Sequence, residues 1–559
     1  MQDRVPLGIR FTEAVDRLVL CLERNRLSII GIFLYVLAVA LVRDISEYYL
    51  LDHTFVVEPH PWIYSIAHHV AFYFLTFFGL VLLISAFSRR GVRKAVNYVA
   101  CFFWIIILPP FLDHFLFGSQ QNYAYFSPTD FLNYILHFSG ETFHPGQALE
   151  IVVVLFAVVS YVIWVKRARF SSVEGRAAVI VEVALLVLFT VLSLFFMATP
   201  GAYLPVGSEN GVPSFPGFDV TKYFQYHLFI FAYYMILLLG VLASLVYINY
   251  PRALKDLVLS LRPWQTVFFT GVVAAGIAAG WVTAAGPEYI YDILDRPYWV
   301  NLAFVILSLL STVLAWLVTT MWNDLSDHAG DSPGRAGRAL ASGVVGRREL
   351  AEGSVVLMGL SLVMAALLSW EHVLLLAAIF LLGAVYSFRP VRFKERLLSP
   401  LLLGAGAFLA FIFGFLTPLS PVRLYQGDPS LVYPDSWNLL FPTLTVQAVV
   451  LGIYMFIGLV VGSMVTDIDG YAEDARSGVH TVYTRFGMDR GKRTVSTLVL
   501  LTSLTPLALF QGVQDLIVFP MLGIAASVTF LRTGRARYVL GIALVGMLYA
   551  AWRFLPALT

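Results

Sequence analysis

Residues 302–322, LAFVILSLLSTVLAWLVTTMW, run without a charged side chain straight into 323–331, NDLSDHAGD. A membrane-spanning helix needs about 20 predominantly apolar residues, and the first segment has that length. Backbone polar groups in lipid must be satisfied within the chain, so an uninterrupted apolar run is a helix; barrel strands would alternate. If the helix continues past Trp322, then Asn323, Asp324, Asp327 and Asp331 share one face, because residues three and four apart stack. Three carboxylates together at a bilayer edge are costly unless something cationic neutralises them. A divalent metal carrying a phosphate ester is the neutraliser to which that chemistry points.

The rest of the chain repeats the apolar pattern. Of 559 residues, 59% are hydrophobic, 13% charged and 15% aromatic, and the mean hydropathy is +0.79. About fifteen segments have spanning length: 27–43, 64–87, 97–112, 147–165, 177–199, 224–248, 263–285, 300–322, 353–370, 372–388, 399–419, 442–466, 494–511, 513–531 and 537–555. The expected fold is an all-α polytopic membrane protein of about 15 transmembrane helices. Membrane lipid is then its surroundings, and no nucleic-acid partner is expected. Cys21 and Cys101 are the only cysteines, too few for a disulfide framework or a CxxC metal site, and read as packing residues. Arg4, Arg10, Arg17, Arg24 and Arg26 lie in an amphipathic N-terminal stretch without a cleavable h-region. That stretch reads as a retained cytoplasmic end.

Short cytoplasmic loops carry the excess of Lys and Arg. Alternate loops here carry Arg89, Arg90, Arg93 and Lys94; Lys166, Arg167 and Arg169; Arg335, Arg338, Arg347 and Arg348; Arg389, Arg392, Lys394 and Arg396; Arg476, Arg485, Arg490, Lys492 and Arg493; and Arg532, Arg535 and Arg537. Of the intervening loops, 113–146 has neither Lys nor Arg, and those of the second half carry only Arg296 and Arg423. The alternation predicts a multi-pass protein with its acidic motif facing the cytoplasm. Pro251, Pro263 and a basic interior mark a join near 250–262. Two domains are therefore expected: a six-helix membrane module over 1–254, of unknown function, and a nine-helix unit over 255–559.

Two further motifs end helices on the same predicted side. Tyr386-Ser-Phe-Arg-Pro-Val-Arg392-Phe-Lys394 alternates aromatic and basic groups, and Asp467-Ile-Asp469-Gly-Tyr-Ala-Glu473-Asp474 places two carboxylates seven residues apart on one helical face. Acidic clusters on two helices can each hold Mg²⁺ and so grip a diphosphate, which water and basic side chains would complete. Ionising the C–O bond of an allylic diphosphate requires stabilising charge on the leaving oxygen, which metal and basic groups supply. Aromatic faces would shield the allylic cation.

The stretch 323–349, NDLSDHAGDSPGRAGRALASGVVGRRE, resembles the first signature of the UbiA superfamily of intramembrane prenyltransferases, NDxxDxxxD followed by an Arg-rich turn. YSFRPVRFK at 386–394 resembles that family's YSxPxRxK element, and DIDGYAEDARSGVHTVYTRFG at 467–487 its second acidic signature. The resemblance covers about residues 255–559 and implies a nine-helix bundle. It implies metal coordination by Asp324, Asp327 and Asp331 with Asn323 supporting, a second metal at Asp467 and Asp474, and phosphate contacts from Arg338, Arg392 and Lys394. It implies Mg²⁺ as cofactor, a polyprenyl diphosphate as donor, and an aromatic or lipid-alcohol acceptor. Two departures stand out: Gly470 occupies a position usually acidic, which leaves Asp469 as a substitute ligand, and Ala339 stands where the family has Pro.

Each motif also has a plainer reading. Cytoplasmic Lys and Arg follow from topology alone, and an acidic helix end can simply be solvated. Three alternatives to prenyl transfer remain from the residues: phosphoribosyl transfer to a polyprenyl phosphate by the same acidic and basic parts, a transporter, and an inactive assembly scaffold. In the first module, His53, His60, His68, His69, His114, His137 and His144, with Asp113 and Glu141, lie at predicted outer helix ends. Their spacings match no ligand pattern, so hydrogen-bonded or solvated histidines are expected rather than a metal or haem site.

Overall fold

The computed structural model describes residues 7–24, 27–52, 62–118, 123, 126–137, 144–200, 220–249, 263–283, 298–327, 345–418 and 446–554. Among them there is no strand. The chain divides into two compact units, Met1–Lys255 and Asp256–Thr559.

In the first unit, α1 (Leu7–Glu23) is amphipathic and α2 (Ile29–Glu47) begins at Ser28, whose hydroxyl accepts from the Gly31 amide at 3.0 Å. That side-chain oxygen satisfies one donor a helix start leaves open. α3 (Trp62–Ser88) and α4 (Val92–Phe103) follow. After α4 the chain tightens into a 3-10 turn, Trp104–Ile107, then resumes as α5 (Leu108–Phe115). Pro109 and Pro110 lack amide donors and disfavour helical geometry just before them, which places the break there. The short α6 (Pro128–His137) precedes three long helices, α7 (Pro145–Lys166), α8 (Val173–Ala198) and α9 (Val220–Asn249). Glu23 fastens α1 to its neighbours, pairing with Lys94 at 3.1 Å and accepting from Tyr161 at 2.9 Å.

The second unit contains α10 (Pro263–Thr283), α11 (Tyr298–Asp327), α12 (Arg347–Leu368), α13 (Trp370–Ser387), α14 (Ser399–Leu416), α15 (Val446–Ser477), the single turn α16 (Val482–Phe486), α17 (Met488–Leu504), α18 (Val513–Thr533) and α19 (Ala536–Phe554). α10 and α14 meet backbone to backbone. A Cβ built on Gly276 would lie 2.2 Å from the Phe411 carbonyl oxygen, and one on Gly280 2.2 Å from that of Phe415. Small residues four apart let helices approach this closely where lipid supplies no hydrophobic drive between them. Small hydroxyls staple other pairs. Ser311 and Ser361 each donate to the other's carbonyl, at 2.9 and 2.7 Å, across α11 and α12. Ser496 donates to the Ser527 carbonyl at 2.9 Å across α17 and α18.

Twelve helices among the described residues are long and apolar enough to cross a membrane, and Gln265–Trp281 and Ala536–Ala550 are shorter apolar helices. The multi-pass, all-helical class holds, but the count of about 15 is not confirmed. The three expected spans not among the twelve are 263–285 and 537–555, which hold the two shorter apolar helices, and 494–511. There α17 starts among Asp489, Arg490, Lys492 and Arg493 and gives way at Pro506 to a 3-10 turn, Thr505–Ala508.

Candidate active site

The last two turns of α11 carry the first acidic motif. Asn323 and Asp324 are buried, and Asp327 is nearly so. Asn323 donates from its Nδ2 to the Asp327 carboxylate at 3.3 Å, the i,i+4 contact that helical spacing dictates. The turn after α13 closes over this face. Lys394 pairs with Asp327 and also donates to Asn323 Oδ1 at 3.3 Å and to the Ser326 hydroxyl at 3.4 Å. Arg392 reaches the same Asp327 oxygen at 3.2 Å and grips Glu395 at 3.0 Å with its other terminal nitrogen.

Backbone geometry sets this arrangement. Arg392 sits at φ 37, in the left-handed region that non-glycine residues rarely occupy, immediately before the 3-10 turn Phe393–Glu395. A residue held there costs about 1–3 kcal/mol and persists only where its surroundings over-determine it. The ion pairs to Asp327 and Glu395 are such surroundings. Trp322 fixes the helix end from another side, donating to the Ser354 hydroxyl at 3.2 Å and packing its ring 5.9 Å from Phe380 and 5.8 Å from Phe388.

The second acidic motif occupies the end of α15. Asp467 lies close enough to Asp474 to feel its charge, so both occupy one helical face; Asp469 is exposed. A Cβ at Gly470 would stand 3.3 Å from Asp474 Oδ2, so the Asp474 carboxylate folds back over the glycine. Gly478, at φ +74, ends the helix, and the Val479 amide returns to the Asp474 carbonyl at 3.0 Å. Tyr483 is fully buried against this end and donates to the Met464 carbonyl at 2.9 Å. Burial first, and the Asp467 and Asp469 carboxylates next, push its hydroxyl well above the usual tyrosine range, so it remains a neutral donor.

The turn after α13 touches both ends. The His480 amide donates to the Glu395 carbonyl at 3.0 Å. Leu397 packs against a buried cluster that includes Val461, Val465 and Ile468 of α15. The structure thus brings Asn323, Asp327, Arg392 and Lys394 into direct contact and ties their turn to the helix bearing Asp467 and Asp474. Asp331 and Arg338 lie outside the described residues, as do His53, His60 and Glu141 of the first unit. Among the described residues no three His, Cys, Asp or Glu side chains gather as a metal group. Two pairs of carboxylates remain, and Mg²⁺ commonly uses one or two carboxylates with substrate phosphates and water, so the donor set fits that ion. Ser326, Glu395 and His480 were missed as site residues; for Ser326 the signal was available in its helical offset from Asn323.

Residues 292–555 match the model of the UbiA prenyltransferase family. No curated protein matches the chain. Among solved structures, a UbiA homolog from Archaeoglobus fulgidus bound to GPP and Mg²⁺ is similar at 16% identity and a TM-score of 0.37, over 54% of this chain and 100% of that one. A structure described as digeranylgeranylglyceryl phosphate synthase in membranes is similar at 16% identity and a TM-score of 0.37, over 54% of this chain and 97% of that one.

Proposed function

We propose that the second unit, in which residues 292–555 match the model of the UbiA prenyltransferase family, transfers a polyprenyl group from an allylic diphosphate to an aromatic or lipid-alcohol acceptor within the membrane, releasing diphosphate. One observation carries the reading: Asp327, Asn323 and Ser326 at the end of an apolar helix are clasped by Lys394 and Arg392. That places two cations, a polar amide and a hydroxyl at one membrane-edge point, the groups needed to hold phosphate oxygens.

Asp324 and Asp327 would hold one Mg²⁺, with Asp331 as a further ligand, and Asp467 and Asp474 a second. The ion supplies charge stabilisation at the leaving oxygen. Lys394 and Arg392, released from Asp327, turn to the phosphate oxygens, Lys394 as a mobile point charge and Arg392 as a fork. Arg338 would join them. As the C–O bond breaks, its electron pair leaves with the diphosphate, and ring faces such as Trp322 stabilise the allylic cation. The acceptor then bonds to the allylic carbon and gives up a proton. The loops bearing these residues carry the excess positive charge, which favours a cytoplasmic site.

The test is diphosphate release by purified full-length protein supplied with Mg²⁺, a series of allylic diphosphates of increasing length, and candidate acceptors. Phosphoribosyl diphosphate with a polyprenyl phosphate forms the control arm. Release only in the control arm would overturn the proposal.

A further inference from the structure

The turn between α18 and α19 gathers cations that no described carboxylate neutralises. α18 ends at Gly534, whose φ of +60 lies in the left-handed region and whose amide returns to the Phe530 carbonyl at 2.8 Å. Arg532 and Arg535 flank this glycine, and Arg537 lies in the first turn of α19. Lys492 of α17 completes the group: a Cβ built on Gly534 would stand 3.0 Å from its Nζ. The three arginines are exposed, and among the described residues none of the four cations pairs with a carboxylate. The basic turn after α13 differs in this respect, since Arg392 and Lys394 there hold Asp327 and Glu395.

Topology alone draws Lys and Arg to one side of a membrane, but it does not require four of them to converge on one turn without a counter-charge. Like charges held together repel, so an anion among them stabilises the arrangement. The adjoining helix surfaces say what kind of anion. Ile524, Val528 and Leu531, spaced by four and three residues, form an exposed apolar stripe on α18 that runs up to Arg532. On α19, Tyr538 is exposed; its hydroxyl accepts from Arg537 Nη2 at 3.0 Å, and the Arg537 guanidinium lies 4.8 Å from its ring centroid. An aromatic with one apolar and one wet end marks the level of lipid head groups.

A phosphate carried on acyl chains matches both features. Its oxygens take the guanidinium forks and the Lys492 ammonium, and its chains lie along the α18 stripe. A free phosphate would use only the charged half. We propose that Arg532, Arg535, Arg537 and Lys492 form a binding site for the head-group phosphate of an anionic phospholipid. The site borders the second acidic motif: a Cβ on Gly534 would lie 3.5 Å from Cδ1 of Ile468, the residue between Asp467 and Asp469. None of the four cations pairs with the carboxylates of that motif.

Full-length protein in phosphatidylcholine nanodiscs, with and without phosphatidylglycerol, tests this. Native mass spectrometry counts retained lipid, and thermal unfolding reads its effect on the fold. The protein is expected to retain phosphatidylglycerol in preference to phosphatidylcholine, whose choline offsets the phosphate charge, and to melt higher in its presence. Combining Arg532→Gln, Arg535→Gln and Arg537→Gln is expected to lower phosphatidylglycerol retention by on the order of tenfold, with helicity and melting in pure phosphatidylcholine close to wild type. Arg535→Gln alone is expected to cause a smaller loss in the same direction. Arg17→Gln, Arg24→Gln and Arg176→Gln together remove the same charge from exposed positions in the first unit and are expected to leave retention unchanged. The proposal fails if wild type shows no preference between the two lipids, if the two triple variants lose retention equally, or if inorganic phosphate alone gives the same rise in melting temperature. It also fails if the first triple variant raises KM for the donor diphosphate while retaining phosphatidylglycerol normally, which would assign the turn to the reaction site.

Discussion

The backbone amide of His480 donates to the carbonyl oxygen of Glu395 at 3.0 Å. Glu395 belongs to the same turn as Arg392 and Lys394, which hold Asp327. One short turn therefore fastens the ends of α11 and α15, the two helices that carry carboxylates. Preorganisation of this kind is what leaving-group chemistry requires, because charged groups that must be gathered during the reaction add to its barrier.

Replacing either central carboxylate is expected to stop transfer without unfolding the protein. Asp324→Ala and Asp327→Ala should each lower the rate of diphosphate release by at least 10²–10³-fold, by analogy with losing a principal charge-stabilising group. Near-normal turnover in both variants, with unchanged helicity, would count decisively against the assignment.

The two cations should separate by geometry. Lys394→Ala removes a point charge that touches Asp327, Asn323 and Ser326, and is expected to raise KM for the donor diphosphate by on the order of tenfold. Arg392→Lys keeps the charge but loses the fork that spans Asp327 and Glu395. It should impair kcat as well, since the turn it braces would loosen. Steady-state kinetics with varied donor distinguishes the two.

Metal removal is expected to be reversible. Chelation should abolish diphosphate release, and added Mg²⁺ should restore it. Asp474→Asn should shift the Mg²⁺ midpoint upward by roughly tenfold, the size of effect typical of weakened ion coordination. A titration unchanged by that substitution would remove Asp474 from the metal-binding set.

The glycine seam yields a stability prediction independent of chemistry. Gly280→Val would place side-chain atoms where the Phe415 carbonyl already lies 2.2 Å from a Cβ. Overpacking typically costs about 1–3 kcal/mol, and against backbone rather than a flexible side chain the upper end is expected. Thermal unfolding in detergent should show it, whereas Gly271→Ala, which meets nothing within 4 Å, should leave the melting temperature close to wild type.

Much of this was legible from residues alone. The run 302–322 declared a spanning helix because backbone satisfaction in lipid is a local requirement. Asn323, Asp324 and Asp327 followed from helical spacing, and the Arg–Lys turn at 386–394 from its position at a helix end. The seam of Gly276 and Gly280 was not legible, since glycines four apart in an apolar helix reveal nothing until a partner backbone lies against them. The break at Trp104–Ile107 also escaped, because an apolar run conceals a local tightening. The span expected over 494–511 is not among the twelve long apolar helices, because the polar start of α17 belongs to the same helix.

Composition and the period of the apolar residues determined that this chain is helical, that it passes repeatedly through a membrane, and which helix ends bear acids and bases. They did so because each of those properties depends on neighbours within a few turns. Only the tertiary structure decided that Lys394 and Arg392 close on Asp327, that Glu395 meets His480, and that Tyr161 donates to Glu23. Those contacts join residues tens to more than a hundred positions apart, and their existence depends on which helix faces pack together, a choice made by the shape of the whole bundle.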